Sequence, residues 1–222
     1  MEILSVTETI AQYLKEQIIA NRIKSGKKLN EIELADELNT SRGPLREAFR
    51  MLENENLLVK IPRKGTYVTE LSVERLREVY TARKMIELYA IDLFKSEKVR
   101  QFPKIYDSIN NVTELSLPSP DNIKETIIYL KSLTDFHVNL VASTHNPWFI
   151  KFYSAIDSTL ARYAFFCIQG ADRTVIAAKD HKQIFELLTS GSYDETKEML
   201  IAHIDGAIRN VEKYVKENET WK

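Results

Sequence analysis

The sequence predicts a mainly α-helical protein in two parts. Residues 1–70 form a small head of short helices that ends in a β-hairpin. Residues 71–222 form an antiparallel bundle of six to seven helices. Three observations carry this. Apolar residues recur at helical spacing through most of the chain. Between Leu58 and Thr69 the period changes to that of short strands. From Ser72 onward there are only three glycines, Gly170, Gly191 and Gly206, and no strand-like alternation. With 44% hydrophobic and 28% charged residues over 222 positions, the composition is that of an ordinary globular chain with room for two compact units.

The first helix spans about residues 5–21. Ser5 is a plausible cap, and Glu8 three residues later completes a capping box. Ile10, Tyr13, Leu14, Gln17 and Ile18 lie along one side. Lys24 to Lys28 turns the chain around Gly26. A short second helix, Glu31 to Leu38, buries Leu34, Ala35 and Leu38, and Asn39-Thr40 ends it. Ser41 is a good cap for the next helix, and Pro44 sits in its first turn, where a missing N–H costs little. Leu45, Ala48, Phe49 and Leu52 form the inner face of that helix. Arg42, Arg46 and Arg50 repeat every four residues as a separate positive stripe. Two short strands follow, Leu58–Ile61 and Thr66–Thr69, joined by Pro62-Arg63-Lys64-Gly65. Two short helices, the second one basic, followed by a basic-tipped hairpin make a winged helix-turn-helix. Such a helix fits the major groove, and the wing reaches phosphate or the minor groove.

SRGPLREAFRMLENENLL followed by RKGTYV closely resembles the DNA-binding domain of GntR-type bacterial transcription regulators. LNEIELADEL resembles the helix that precedes it, so the likeness covers about residues 5–70. It implies double-stranded operator DNA as partner and a homodimer on a palindrome. Arg42 and Arg46 would read base edges, with Arg50 on the same stripe. Ser41 and the Gly43 backbone would anchor on phosphate, and Arg63, Lys64, Gly65 and Thr66 would place the wing. Two departures from the family pattern stand out. The turn at 24–28 lacks a proline-glycine pair, and Ile32 stands where a basic residue is common.

Net charge does not announce a nucleic-acid partner. The whole chain carries −1, and residues 1–70 hold 11 basic and 11 acidic side chains. Between 40 and 66 there are 6 basic and 3 acidic residues, so the DNA argument rests on local patterning. The single cysteine, Cys167, sits among Phe165, Phe166 and Ile168 and reads as a small buried hydrophobe. No apolar run approaches the ~18 residues of a membrane span. The opening Met-Glu-Ile-Leu-Ser lacks the pattern of a signal peptide. A cytoplasmic protein is expected.

In the second part, Ser72 caps a long helix to about Phe94, with Leu76, Val79, Ala82, Met85-Ile86 and Tyr89 inward. Further helices are expected at about 98–116, 121–144, 147–168, 171–190 and 192–218. Leu117 to Asp121 is a proline-rich connection, and Asn146-Pro147 and Gly191-Ser192 mark breaks. His137, His181 and His203 each have apolar neighbours at helical spacing, so each can face the bundle interior, where side chains from facing helices converge on metals.

FHVNLVASTHNPWF, DHKQIFELLTSGSYDE and MLIAHIDGAIRNVEKY are similar to the effector domain called FCD, over about residues 72–217. In its metal-binding members three histidines and an aspartate hold a divalent ion. The resemblance places His137, His181 and His203 at the histidine positions, with zinc, nickel or manganese as the ion. The aspartate position, four residues before the first histidine, is Leu133 here, and Asp135 should point away. Either a three-histidine site keeps the ion with open positions, or the ion is lost and the histidines bind an anion or neighbouring polar groups by hydrogen bonds. If the ion stays, the lost carboxylate leaves the site one unit more positive and favours an anionic ligand. RKMIELYA resembles the segment whose inward arginine, Arg83 here, helps hold a carboxylate effector. The alternative is an exposed Arg83 pairing with Glu87. Arg162 is a second effector candidate. The reading is a ligand-responsive regulator and not an enzyme. Two rivals are a purely dimerising bundle and a metalloenzyme whose three-histidine ion activates water.

Overall fold

The computed structural model describes residues 4–113, 122–168 and 171–218. The predicted connection at 117–121 lies outside them. Among the described residues there are nine helices and one three-stranded sheet. The head consists of α1 (Val6–Ile19), β1 (Lys28–Leu29), α2 (Glu31–Glu37), α3 (Arg42–Asn54), β2 (Leu58–Ile61) and β3 (Gly65–Val68). The bundle consists of α4 (Val73–Glu97), α5 (Pro103–Thr113), α6 (Ile123–Ala142), α7 (Pro147–Cys167), α8 (Ala171–Ser190) and α9 (Tyr193–Asn218). No helix among the described residues is long and apolar enough to cross a membrane.

The capping box of α1 is complete. Ser5 Oγ accepts from the Glu8 N–H, and Glu8 accepts from the Ser5 N–H at 2.7 Å. Ile10, Ala11, Leu14 and Ile18 are buried, whereas Tyr13, expected on that face, is exposed. They pack on Leu45, Ala48, Phe49 and Leu52 of α3, so the core of the head braces the basic helix from behind. The sheet order is β1-β3-β2, antiparallel throughout, with Ile61 opposite Gly65 across the wing turn. Arg63 and Gly65 both have positive φ. At Gly65 an added Cβ would also lie 3.1 Å from Lys28 Cε, so a side chain there is strained in two ways. Thr66, expected to help place the wing on DNA, is buried in the sheet, because it alternates inward with Val68.

The bundle has its own core, centred on Leu76, Tyr80, Ile91, Phe94, Phe136, Tyr163, Ile184 and Ile204. In α4 the inner face is rotated from the expected one. Met85 and Tyr89 are exposed, and Arg83 and Glu87 are buried in their stead. The inward row runs Leu76, Tyr80, Arg83, Glu87, Ala90, Phe94 in steps of three and four. A charged pair interrupts an otherwise apolar row.

Helix α7 fastens the bundle to the head. Asn56, just past α3, donates to the Ala155 carbonyl at 3.0 Å. Ser158 donates to Glu55 at 2.6 Å, and Lys15 of α1 pairs with the same oxygen. Tyr163 donates to the Ser72 carbonyl at 3.0 Å.

Candidate metal and effector centre and nucleic-acid face

The outer face of α3 carries Arg42, Arg46 and Arg50, all exposed. Glu31 of α2 receives both Arg42 (3.3 Å) and Arg46 (2.7 Å) on one oxygen, and Arg50 pairs with Glu47 at 2.9 Å. The hydrogen bond from Arg46 is the main reason the Glu31 pKa is lowered. Ser41 occupies the N-cap position, but its hydroxyl makes no cap bond. Pro44, three residues on, has no N–H to offer, which removes one of the two usual targets. The hydroxyl is left on the surface beside the first N–H groups of α3, where the helix dipole favours an anion. Gly43 has open space around it. At the wing tip Arg63 and Lys64 are exposed.

The second constellation lies inside the bundle. His137 of α6, His181 of α8 and His203 of α9 bring their Nε2 atoms together. The His137–His181 distance is 2.9 Å and the His181–His203 distance 3.2 Å. All three nitrogens lie within 4.8 Å of one another. Each outer ring is oriented by a carboxylate behind it. Glu87 Oε2 is 3.0 Å from His137 Nδ1, and Asp180 Oδ2 is 3.1 Å from His203 Nδ1. A carboxylate accepts only, so it favours a ring that presents its N–H at Nδ1 and leaves Nε2 a bare acceptor. One N–H on His181 cannot serve two such acceptors well, whereas one cation serves all three. Two of the three spacings are close to what one ion needs: two nitrogens each ~2.1 Å from one ion lie about 3.0–3.4 Å apart for angles of ~90–110°.

Charge inside this centre is tightly arranged. Burial opposes ionisation of Glu87, but the Arg83 guanidinium and the bonds from His137 and Tyr153 overcome that and hold its pKa down to about 2. Burial, with Arg83 nearby, lowers the His137 pKa to about 3. Burial and the neighbouring imidazoles lower that of His181 as well. Both rings are therefore neutral at pH 7. Arg83 is neither exposed nor wholly consumed by Glu87. Its Nε donates to Glu87 Oε1 at 2.8 Å, while its buried Nη2 has no partner.

A cavity of about 120 Å³ adjoins the three histidines and Arg83, lined also by Tyr80, Leu133, Ile168, Ala177 and Asn210. Leu133 thus stands on the same side of α6 as His137, as an apolar wall. Asp135 points outward and pairs with Lys131 at 2.8 Å. Arg162 is not among the lining residues. Its Nη1 donates to the carbonyl (3.0 Å) and hydroxyl (2.7 Å) of Thr69, so it holds the segment that joins head and bundle.

Sequence reasoning missed Glu31, Asp180 and Tyr153, and it named Glu87 only as a partner for an exposed Arg83, whereas the pair is buried. The Leu76–Phe94 row in steps of three and four passes through Arg83 and Glu87, but nothing in the sequence favours that row over the apolar one through Met85 and Tyr89. Asp180 could not have been found from a row either, because it serves a histidine on another helix.

Comparison with known proteins agrees with this architecture. Residues 6–68 match the model of bacterial regulatory proteins of the gntR family, and residues 78–206 match the FCD domain. The HTH-type transcriptional regulator YdhC of Bacillus subtilis (strain 168) is 25% identical over 206 residues, covering 93% of this chain and 91% of that protein. The Nta operon transcriptional regulator of Aminobacter aminovorans is 27% identical over 187 residues, covering 84% and 85%. In fold, a structure from Rhodococcus sp. RHA1 described as a candidate GntR transcriptional regulator superposes with a TM-score of 0.75 at 17% identity, covering 94% of this chain and 98% of that one. Escherichia coli McbR/YncC superposes at 0.70 and 18% identity, covering 95% and 99%. Two family matches in the expected order, the second over more than half of the chain, and relatives named as regulators along its whole length leave one conclusion: the chain belongs to the gntR family of bacterial regulatory proteins, in the group whose second part is an FCD domain.

Proposed function

We propose that this regulator is a cytoplasmic homodimer that binds palindromic operator DNA and releases or tightens it in response to a small carboxylate. Residues 1–70 are the DNA-binding unit, and 71–222 bind the effector and dimerise. The single observation that carries the effector reading is the convergence of three Nε2 atoms and an unpartnered Arg83 Nη2 on one cavity. A bound divalent ion supplies a Lewis-acidic anchor for one carboxylate oxygen. His137, His181 and His203 would hold it, and three imidazoles without a coordinating carboxylate suit zinc or nickel better than manganese, which prefers oxygen. Three neutral ligands also leave the ion's charge uncompensated, which favours an anion. Arg83 donates to the other end of that anion, and Leu133, Ile168 and Ala177 keep water from its remainder.

On the DNA side, Arg42 and Arg46 read base edges. Arg50, Ser41 and the backbone at Gly43 meet phosphate, and Arg63, Lys64 and Gly65 set the wing. The homodimer reading is supported by large apolar side chains left exposed on α4 and the start of α7: Met85, Tyr89, Trp148 and Phe152. An effector changes DNA affinity only by binding unequally to the geometries the dimer adopts on and off DNA.

The test is a thermal-shift screen of the full chain against zinc, nickel, manganese and small carboxylic acids, with and without chelator, followed by operator binding with the acids that score. A shift by an acid that disappears with chelator supports the metal-anchored reading. A shift that survives chelator assigns the anion to Arg83 and the bare histidines. Operator affinity indifferent to every acid and metal would leave a bundle that only dimerises.

A further inference from the structure

Three side chains from three helices converge on Glu87. Oε1 accepts from Arg83 Nε and from the Tyr153 hydroxyl, each at 2.8 Å. Oε2 faces His137 Nδ1 at 3.0 Å. We propose that Glu87 is the positioning residue of the centre: it locks His137 in the Nδ1–H tautomer, so that Nε2 turns its lone pair towards His181 and His203. The tautomer follows from the hydrogen bonds alone. Its consequence for cation binding rests on the reading of the cluster as a metal centre.

The arrangement makes one substitution unusually informative. In Glu87→Gln the amide has one accepting and one donating end. Arg83 Nε can only donate, so the amide oxygen must take the Oε1 place, and the Tyr153 hydroxyl can donate to it as well. The NH₂ group then faces His137 Nδ1 and needs a lone pair there. The ring proton moves to Nε2, where it points into the cluster and blocks coordination. Asp180 behind His203 is different. It meets Nδ1 through one oxygen, its side chain is partly exposed, and among the described residues no arginine bonds to it. Asp180→Asn can therefore turn its oxygen towards His203 and keep the tautomer.

The experiment uses full-length protein with ¹⁵N-labelled histidine. The imidazole nitrogen shifts are read in the metal-free state at pH 7, and zinc affinity by competition with a chelator. Wild type should show His137 as Nδ1–H, and Glu87→Gln should show it as Nε2–H with zinc affinity lowered about 10–100-fold. Asp180→Asn should leave the His203 tautomer unchanged and cost less. The double variant Arg83→Met with Glu87→Gln frees the amide to rotate, so it should restore Nδ1–H and recover zinc affinity relative to Glu87→Gln. A merely structural role predicts the reverse, since the double variant has lost more polar contacts. Should Glu87→Gln fail to fold, the wild-type spectrum carries the test, because His137 found there as Nε2–H overturns the proposal. An unchanged His137 tautomer in folded Glu87→Gln overturns the proposal. Zinc-free wild type overturns the metal reading instead, and the tautomer comparison still decides the part played by Glu87.

Discussion

The two functional regions handle charge in opposite ways. On α3 the arginines stand in solvent, each paired with an exposed or half-buried glutamate. Such pairs are worth about 0–1 kcal/mol and are easily exchanged for another anion. In the bundle, Arg83, Glu87, His137 and His181 are buried, and the one fully buried polar atom of these four side chains without a partner is Arg83 Nη2. Exposed charge is suited to a partner that arrives with its own phosphates. Buried charge is suited to a ligand small enough to enter and complete a nearly finished network.

Four measurements bear on that contrast, taken from the largest expected effect downward. Replacing His181, the ring that touches both others, should weaken zinc binding by more than about 100-fold in His181→Ala, since even partners behind a ligand cost 10–100-fold. Equilibrium dialysis against a chelator series decides it, and retained stoichiometric zinc would break the three-histidine reading.

The second concerns pH. His137 and His181 have lowered pKa values when folded, so they stay neutral while the unfolded chain takes up protons below about 6.5. Stability is therefore complete above that pH and falls as pH drops towards about 3, the folded value for His137. Glu87, also lowered, adds to the loss only below its ordinary carboxylate range. His137 alone should remove on the order of 2 kcal/mol by pH 5, and His181 adds a loss of the same sign. Thermal melts of metal-free protein between pH 7 and 5 should slope downward, and less steeply for His181→Ala. A flat wild-type profile would mean the two rings are not buried neutral.

Third, Arg46→Ala should cost about 1–3 kcal/mol on the cognate operator, and much less on random DNA, if the arginine reads a base. Equal losses on both would reduce it to a phosphate contact. The smallest effect is expected at Glu31→Gln. Releasing Arg42 and Arg46 from their carboxylate should raise DNA affinity no more than about five-fold, the worth of exposed pairs. A drop in affinity would show that Glu31 orients the arginines for DNA.

What the sequence disclosed follows the same divide. The head was legible because the polar stripe of α3 and its apolar face are separated by the helical period, and because Ser5 and Glu8 announce a cap. The three histidines were legible as inward residues for the same reason. The phase of α4 was not. Assuming that apolar side chains turn inward put Met85 and Tyr89 in the core. Their places belong to Arg83 and Glu87, whose burial is supported by Tyr153 of α7 and His137 of α6, and no local pattern reports partners that distant. Thr66 was assigned to DNA from its neighbours in the wing, although strand alternation turns it inward. Arg162 looked like a pocket residue because it is surrounded by aromatic side chains, but its partner is the backbone of Thr69 from the other half of the chain.

Helix α7 has a consequence for anyone recombining regulators of this kind. Tyr153 touches the buried centre, while Ala155, Ser158 and Arg162, within the next three turns, grip Asn56, Glu55 and Thr69 of the head. The head and the buried centre are thus mounted on a single beam. A head transplanted onto this bundle keeps its mounting only if it brings an acid, an amide and a hydroxyl to those three places. One that binds DNA equally well but lacks them would be joined to the bundle by the linker alone.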